Sequence, residues 1–194
     1  QLIALFSISI ILIMKNRGKV HEECKSYLQK LIGRDVDFEE DQFEAISSCL
    51  SEGSKTLLVQ KTGWGKSAVY FVAAKYILEN RNQMTVIVSP LLSLSRNQRL
   101  NAKNLLNIEA IDSSEDPEKV RNTKAKIKAN KVDVLMVTPE RFSNDEFKKD
   151  LFPILKERTG LFVVDEAHCV STWGHDFRPN YMMMAKETIP SLNP

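Results

Sequence analysis

The chain has 194 residues, of which 43% are hydrophobic and 27% charged. That is ordinary for a soluble globular protein and enough for one domain with a full core, or one domain plus an appendage. A net charge of +2 neither demands nor excludes nucleic acid, and three scattered cysteines without a C-x-x-C pair argue against a disulfide framework or a zinc site and for a reducing, cytoplasmic setting.

The first segment, "LIALFSISIILIM" from Leu2 to Met14, is almost wholly apolar and is followed by Lys15, Arg17 and Lys19. Thirteen helical residues rise only about 20 Å, short of the roughly 30 Å hydrocarbon core. The basic residues follow the run instead of preceding it, and no A-x-A site comes after, unlike a signal peptide. The end of a membrane helix with a cytoplasmic flank, a signal segment, and a packed or artefactual extension stay open as readings. Residues 1–19 are therefore set apart as an extension of unknown role, and the domain is taken as residues 20–194. Gln1 at the start and "ETIPSLNP" at the end give the expectation of a fragment, with a domain incomplete at its C-terminus.

From His21 the pattern is regular. "EECKSYLQKLIG" places Cys24, Tyr27, Leu28, Leu31 and Ile32 at helical spacing, with Gly33 as the stop. "DQFEAISSCLSEG" repeats this with Phe43, Ile46 and Leu50 on one face and Gly53 at the end. "TLLVQ" has strand length, Gly63 to Ser67 form a loop, and "SAVYFVAAKYILEN" is a helix opening from that loop. "MTVIVS" is a β-branched strand closed by Pro90, "SLSRNQRLNAKNLL" an amphipathic helix, and "IEAID" a weak strand. "DPEKVRNTKAKIKANK" is a lysine-rich helix with Asp116 as N-cap and Pro117 at its first position; its charges form a solvated face or a DNA contact. "VDVLMVT" and "GLFVVDEAH" are the last strands, separated by a helical segment with Phe147, Leu151, Ile154 and Leu155. Five strands alternating with helices predict an α/β fold: a parallel sheet covered on both faces, with its functional loops along one edge.

The loop "QKTGWGKS" joins a predicted strand to a predicted helix, as a phosphate cradle requires. Gln60 stands where the strict G-x-x-x-x-G-K-[ST] pattern has its first glycine; the looser x-x-T-G-x-G-K-[ST] form fits. Thr62, Gly63, Trp64, Gly65, Lys66 and Ser67 are the candidate nucleotide-binding residues. Lys66 would neutralise β/γ oxygens and Ser67 would ligate Mg²⁺. Such a loop binds through its main chain, so Trp64 can point away from phosphate and pack against a neighbouring element. At the end of the last strand, Asp165 would hold Mg²⁺ and Glu166 would polarise the attacking water. His168 is either an interior histidine or a link from the nucleotide site to what it drives. Trp173, Phe177 and Tyr181, with His175 and Arg178, are either a stacking-plus-cation set for unpaired bases or a hydrophobic plug.

The string "DEAHCVSTWGHDFRPNY" closely resembles the RecQ family of DNA helicases, and the likeness runs from about Cys24 to Tyr181. "QKTGWGKS" is similar to the family's first nucleotide motif, "SPLLSLSRNQ", with Ser89 and Pro90, to its DNA-contacting motif, and "VTPERF" to the next. "FEEDQFEAI" resembles the adenine-recognition segment, with Gln42 at the base-reading position and Glu39 where members usually carry a basic residue.

The resemblance implies a RecA-like P-loop domain, ATP and Mg²⁺ as cofactors, and single-stranded or duplex DNA as partner. It implies an aromatic loop that couples DNA to hydrolysis, and a place near DNA, in the nucleoid or the nucleus. It also implies a second RecA-like domain outside this chain. Because an arginine finger from such a domain is worth about 10³ to 10⁵ in rate, the isolated chain is expected to hydrolyse ATP extremely slowly and to unwind nothing. A nucleotide- and DNA-binding module without productive catalysis, and an RNA helicase of the same superfamily, are the alternatives.

Overall fold

The computed structural model describes residues 2–90, 92, 96–112, 116–142, 144–167 and 186. Its chain divides into two compact units, Gln1–Tyr76 and Ile77–Pro194, each described by itself.

The first unit opens with α1, Leu2–Ile32, a continuous helix that runs through the expected boundary at residue 19. Among the described residues no helix is long and apolar enough to cross a membrane. Cys24, Leu28 and Leu31 are buried, as their spacing predicts, whereas Ile32 at the helix end is 47% exposed. Burial, and then the charge of Glu23, pushes the Cys24 thiol up to about 12, so it acts as a small apolar side chain. Gly33 ends α1 with φ +79°, its N–H donating to Gln29 O. Helix α2, Gln42–Leu50, buries Phe43, Ile46 and Leu50. Helix α3, Lys66–Arg81, opens directly from the glycine loop. Its buried residues Ala68 to Ala74 run right round the helix, the mark of an interior element.

The predicted strand at Thr56–Gln60 is not a strand in the structure. Leu57 and Val59 are 80% and 79% exposed, and none of the described strands pairs with this segment. The run has the composition of a buried parallel strand, but composition cannot supply the neighbour whose N–H and C=O groups would complete a ladder.

The second unit holds a four-stranded, wholly parallel sheet of β1 (Met84–Val88), β2 (Ile108–Ile111), β3 (Val134–Val137) and β4 (Thr159–Val164), in the order β2-β3-β1-β4. Helix α4, Arg96–Ala102, is shorter than its amphipathic pattern predicts. Helix α5 is Pro117–Lys128, α6 the short Pro139–Phe142, and α7 Asp145–Arg158. Asp116 caps α5 by accepting from Glu118 N at 2.7 Å, and Asn144 caps α7 by accepting from Phe147 N at 2.8 Å.

One sheet face (Val86, Val88, Leu135, Val137) packs against Val120 and Ile127 of α5 and Phe147, Leu151 and Leu155 of α7. On the other face Thr85, Ile87, Val134 and Met136 are equally buried, so the sheet is covered on both sides, as an all-parallel sheet must be. Both observations fit a RecA-like α/β domain.

The lysine-rich helix is not simply a solvated face. Lys124 turns inward and donates to Glu146 and Asp150 of α7 at 3.0 Å each, while Lys126 donates to Glu109 of β2 at 2.6 Å.

Candidate nucleotide site

Two adjoining glycine turns shape the loop before α3. Gly63 has φ +84° and Gly65 φ +101°, a conformation side chains rarely adopt. A Cβ on Gly63 would meet nothing within 4 Å, so that residue is open above its backbone. A Cβ on Gly65 would stand 2.7 Å from Gln42 Nε2. These turns bring Lys66 to the first turn of α3, where Ala68 and Val69 donate their N–H groups back to Gly65 O. Lys66 Nζ bends over the loop and donates to Gln60 O at 2.8 Å and Lys61 O at 3.1 Å. The ammonium is therefore folded back onto the two carbonyls that open the loop. Thr62 is exposed and Ser67 partly buried, next to Lys66 on the helix. Trp64 between the glycines is only 9% exposed, so the indole is packed.

Gln42 is brought to this loop from the start of α2. Its Nε2 donates to Gly65 O at 3.4 Å, and its Oε1 accepts from Glu39 N at 3.2 Å, while its own N–H donates to Glu39 O at 3.0 Å. The reciprocal pair closes the turn Glu39–Gln42, in which Asp41 takes φ +62°. A carboxamide has two acceptor and two donor positions. With one of each engaged, the carboxamide keeps one further acceptor and one further donor position, and Gln42 as a whole is buried at 3% exposure.

Sequence reasoning missed what holds this turn in place. Residues 34–38 form a strap along α1: Lys25 Nζ donates to Asp37 Oδ2 at 2.6 Å, and Gln29 Nε2 to Asp35 Oδ1 at 2.6 Å and to Val36 O at 3.2 Å. His21 lies edge-on to Phe38 and Phe43, with ring centres 5.2 and 4.5 Å away. The signal was the i, i+4, i+8 spacing of His21, Lys25 and Gln29 beside the apolar stripe of α1.

The acidic strand end belongs to the second unit. Val88 of β1 pairs with Val164 of β4, so the two strands finish side by side. That register places Ser89 Oγ 3.5 Å from Asp165 Oδ2, and Asp165 N donates to Val88 O at 2.8 Å. Ser89 and Pro90 are buried at this edge. Glu166 follows with φ +52° and donates its N–H to Asp165 Oδ1 at 3.1 Å, leaving its carboxylate exposed. His168, Trp173, His175, Phe177, Arg178 and Tyr181 lie outside the described residues. The structure thus brings together Gln42, Gly65 and Lys66 in one unit, and Ser89, Asp165 and Glu166 in the other.

Each group has a plain chemical use: glycine turns with an ammonium folded over the loop suit phosphate in the first unit, and a carboxylate beside a hydroxyl at a parallel-strand edge suits a hard cation in the second. Comparison with known proteins agrees. A family model described as DEAD/DEAH box helicase matches residues 39–193. The chain is 39% identical over 163 residues to ATP-dependent DNA helicase Q-like 5 of Arabidopsis thaliana, covering 84% of this chain and 17% of that protein. It is 33% identical over 150 residues to ATP-dependent DNA helicase RecQ of Haemophilus influenzae, covering 76% and 23%. It is 37% identical over 150 residues to ATP-dependent DNA helicase Q4 of Homo sapiens, covering 77% and 12%. The chain therefore spans less than a quarter of the length of each of these relatives. With the family model matched from Glu39 almost to the last residue and RecQ-type relatives alike over most of the chain, this protein belongs to the DEAD/DEAH box helicases and is RecQ-like among them.

Proposed function

We propose that this chain is the first motor domain of a RecQ-like 3′-to-5′ DNA helicase, in which ATP hydrolysis drives movement along single-stranded DNA and separation of the duplex. The observation that carries the reading is the loop from Gly63 to Lys66, with left-handed glycines, an ammonium folded over the backbone, and the Gln42 amide bonded to Gly65 O.

Bound ATP would supply the phosphoryl bond whose cleavage provides the free energy. The main chain from Thr62 to Gly65 donates N–H groups to phosphate oxygens, with the N-terminal end of α3 adding its positive partial charge. Lys66 exchanges its two carbonyl partners for β/γ oxygens and neutralises charge there. Gln42 recognises the adenine edge with its remaining acceptor and donor. Trp64 acts by packing. Ser67 and Asp165 would hold Mg²⁺, which would supply charge neutralisation at the phosphates, and Glu166 would polarise the attacking water. His168 transmits the state of this site to the DNA. Ser89 and Pro90 open the segment that meets the DNA backbone. Trp173, Phe177 and Tyr181 stack on unpaired bases at about 1–3 kcal/mol each, aided by His175 and Arg178. The working enzyme adds a second RecA-like domain and acts where DNA is, in the nucleoid or the nucleus.

The test is the ATPase of the full-length protein titrated with single-stranded DNA and with RNA of the same sequence. Stimulation by DNA, lost in Trp173→Ala and Phe177→Ala while basal turnover survives, is the expected result. Equal or greater stimulation by RNA overturns the assignment to DNA.

A further inference from the structure

The turn that carries Gln42 does not stand alone. Three polar side chains of α1, spaced one helical turn apart, grip the preceding segment point by point and in reverse order. Gln29 spends both amide hydrogens on the strap, one on Asp35 and one on the carbonyl of Val36. Lys25 takes Asp37 Oδ2, and the other oxygen, Oδ1, accepts from Phe38 N at 2.8 Å. His21 then receives the Phe38 ring, which also lies 5.5 Å from Phe43 of α2. Directly after Phe38 come Glu39, whose N–H fixes Gln42 Oε1, and Gln42 itself, whose Nε2 fixes Gly65 O. The strap is thus tied to α1 by hydrogen bonds and a ring contact, and the backbone from Phe38 to Gln42 carries that hold to the Gly65 carbonyl.

We propose that His21, Lys25 and Gln29 are positioning residues for base recognition: they pin the strap 34–38 and thereby hold the Gln42 amide in the orientation that selects adenine over guanine. This rests on the reading of Gln42 as the base-reading residue. Guanine presents two acceptors, O6 and N7, where adenine presents a donor and an acceptor, so the orientation of the amide decides the preference. A strap that slides along α1 would let the turn at Glu39 open and the carboxamide rotate. Phosphate binding would be spared, because Lys66 is held by the Gln60 and Lys61 carbonyls of the loop and not by the strap. The Lys25–Asp37 pair raises the lysine's pKa and lowers the carboxylate's, in each case first through their shared hydrogen bond, so both stay charged across the working pH range.

The experiment measures equilibrium affinities for ATP, GTP and inorganic triphosphate in the full-length protein. The variants are Lys25→Glu, Asp37→Lys, the double exchange and Gln42→Ala, each with a thermal melt. Because an exposed ion pair contributes modestly, each single reversal is expected to lower the ATP-over-GTP ratio by about two- to fivefold. Triphosphate affinity stays unchanged, and the double exchange recovers the ratio. Gln42→Ala is expected to remove the preference. If Gln42→Ala loses the preference while Lys25→Glu keeps it, the positioning role is overturned and the base-reading role stands. If Lys25→Glu weakens all three ligands alike, the strap is merely structural and the inference falls. If Gln42→Ala keeps the preference, base reading fails and the inference fails with it.

Discussion

Gly65 is the residue at which the site is most tightly specified. Its φ of +101° and the 2.7 Å between an added Cβ and Gln42 Nε2 impose two separate demands, one on backbone strain and one on space. Gly63 imposes only the first, since its Cβ would meet nothing. Backbone strain of this kind costs of order 1–3 kcal/mol. Gly65→Ala is therefore expected to weaken nucleotide binding by about tenfold or more. Gly63→Ala should weaken it less, as measured by titration with a fluorescent ATP analogue; equal losses would contradict the steric part of the argument. Glycine, lysine and serine at this spacing were legible in the sequence, because the chemistry of a phosphate cradle leaves few choices of residue. The grip of Lys25 on Asp37 was not, because a contact across twelve residues depends on how the strap folds back on α1, and the helical spacing of His21, Lys25 and Gln29 names no partner for them. Trp64 was legible in kind, as a packed indole, though what it packs against could not be read.

Among the elements, α5 and α7 show how apolar spacing and ion pairs divide the labour. Phe147, Leu151 and Leu155 recur at four-residue intervals and are fully buried against the sheet, as the helical period predicted. Leu151→Ala should cost about 2–5 kcal/mol of stability in chemical denaturation, by lost transfer and a residual cavity. A change below about 0.5 kcal/mol, the usual range for surface substitutions, would mean the α7 face is not core.

The pair of helices is also tied by Lys124. Burial alone would lower its pKa, but hydrogen bonds to Glu146 and Asp150 outweigh that and raise it, and Asp150 is held below the ordinary carboxylate value, first by its hydrogen bond from Lys124. A depressed carboxylate stabilises above its unfolded pKa of about 3.9 and loses that contribution as pH falls through its folded value. A raised lysine stabilises below about 10.4 and loses its contribution as pH rises through its folded value. The difference in melting temperature between the wild type and Lys124→Met should then be flat across neutral pH and shrink below about pH 4. A difference that grows on acidification would contradict the assignment. The strand expected at Thr56–Gln60 marks the limit of pattern reading: four of five apolar runs found a parallel neighbour, and the fifth pairs with none of the described strands and leaves Leu57 and Val59 exposed. An apolar run reports what a segment can bury, and pairing is decided by what lies beside it.

For the whole molecule, the parallel sheet, the glycine turns before α3 and the acidic strand end were all readable because each is a local pattern. The aromatic loop after Cys169 was readable as sequence alone, and the DNA-coupling role proposed for it rests there. The central claim is the proposal that Lys66, with its glycine turns, binds the triphosphate of ATP and that Asp165 holds its magnesium. The direct test is ATP affinity of the full-length protein measured with and without magnesium, for the wild type, Lys66→Ala and Asp165→Asn. The account predicts that Lys66→Ala weakens binding under both conditions, and that Asp165→Asn keeps the magnesium-free affinity but loses the gain that magnesium brings. An Asp165→Asn protein with the magnesium dependence of the wild type would contradict it.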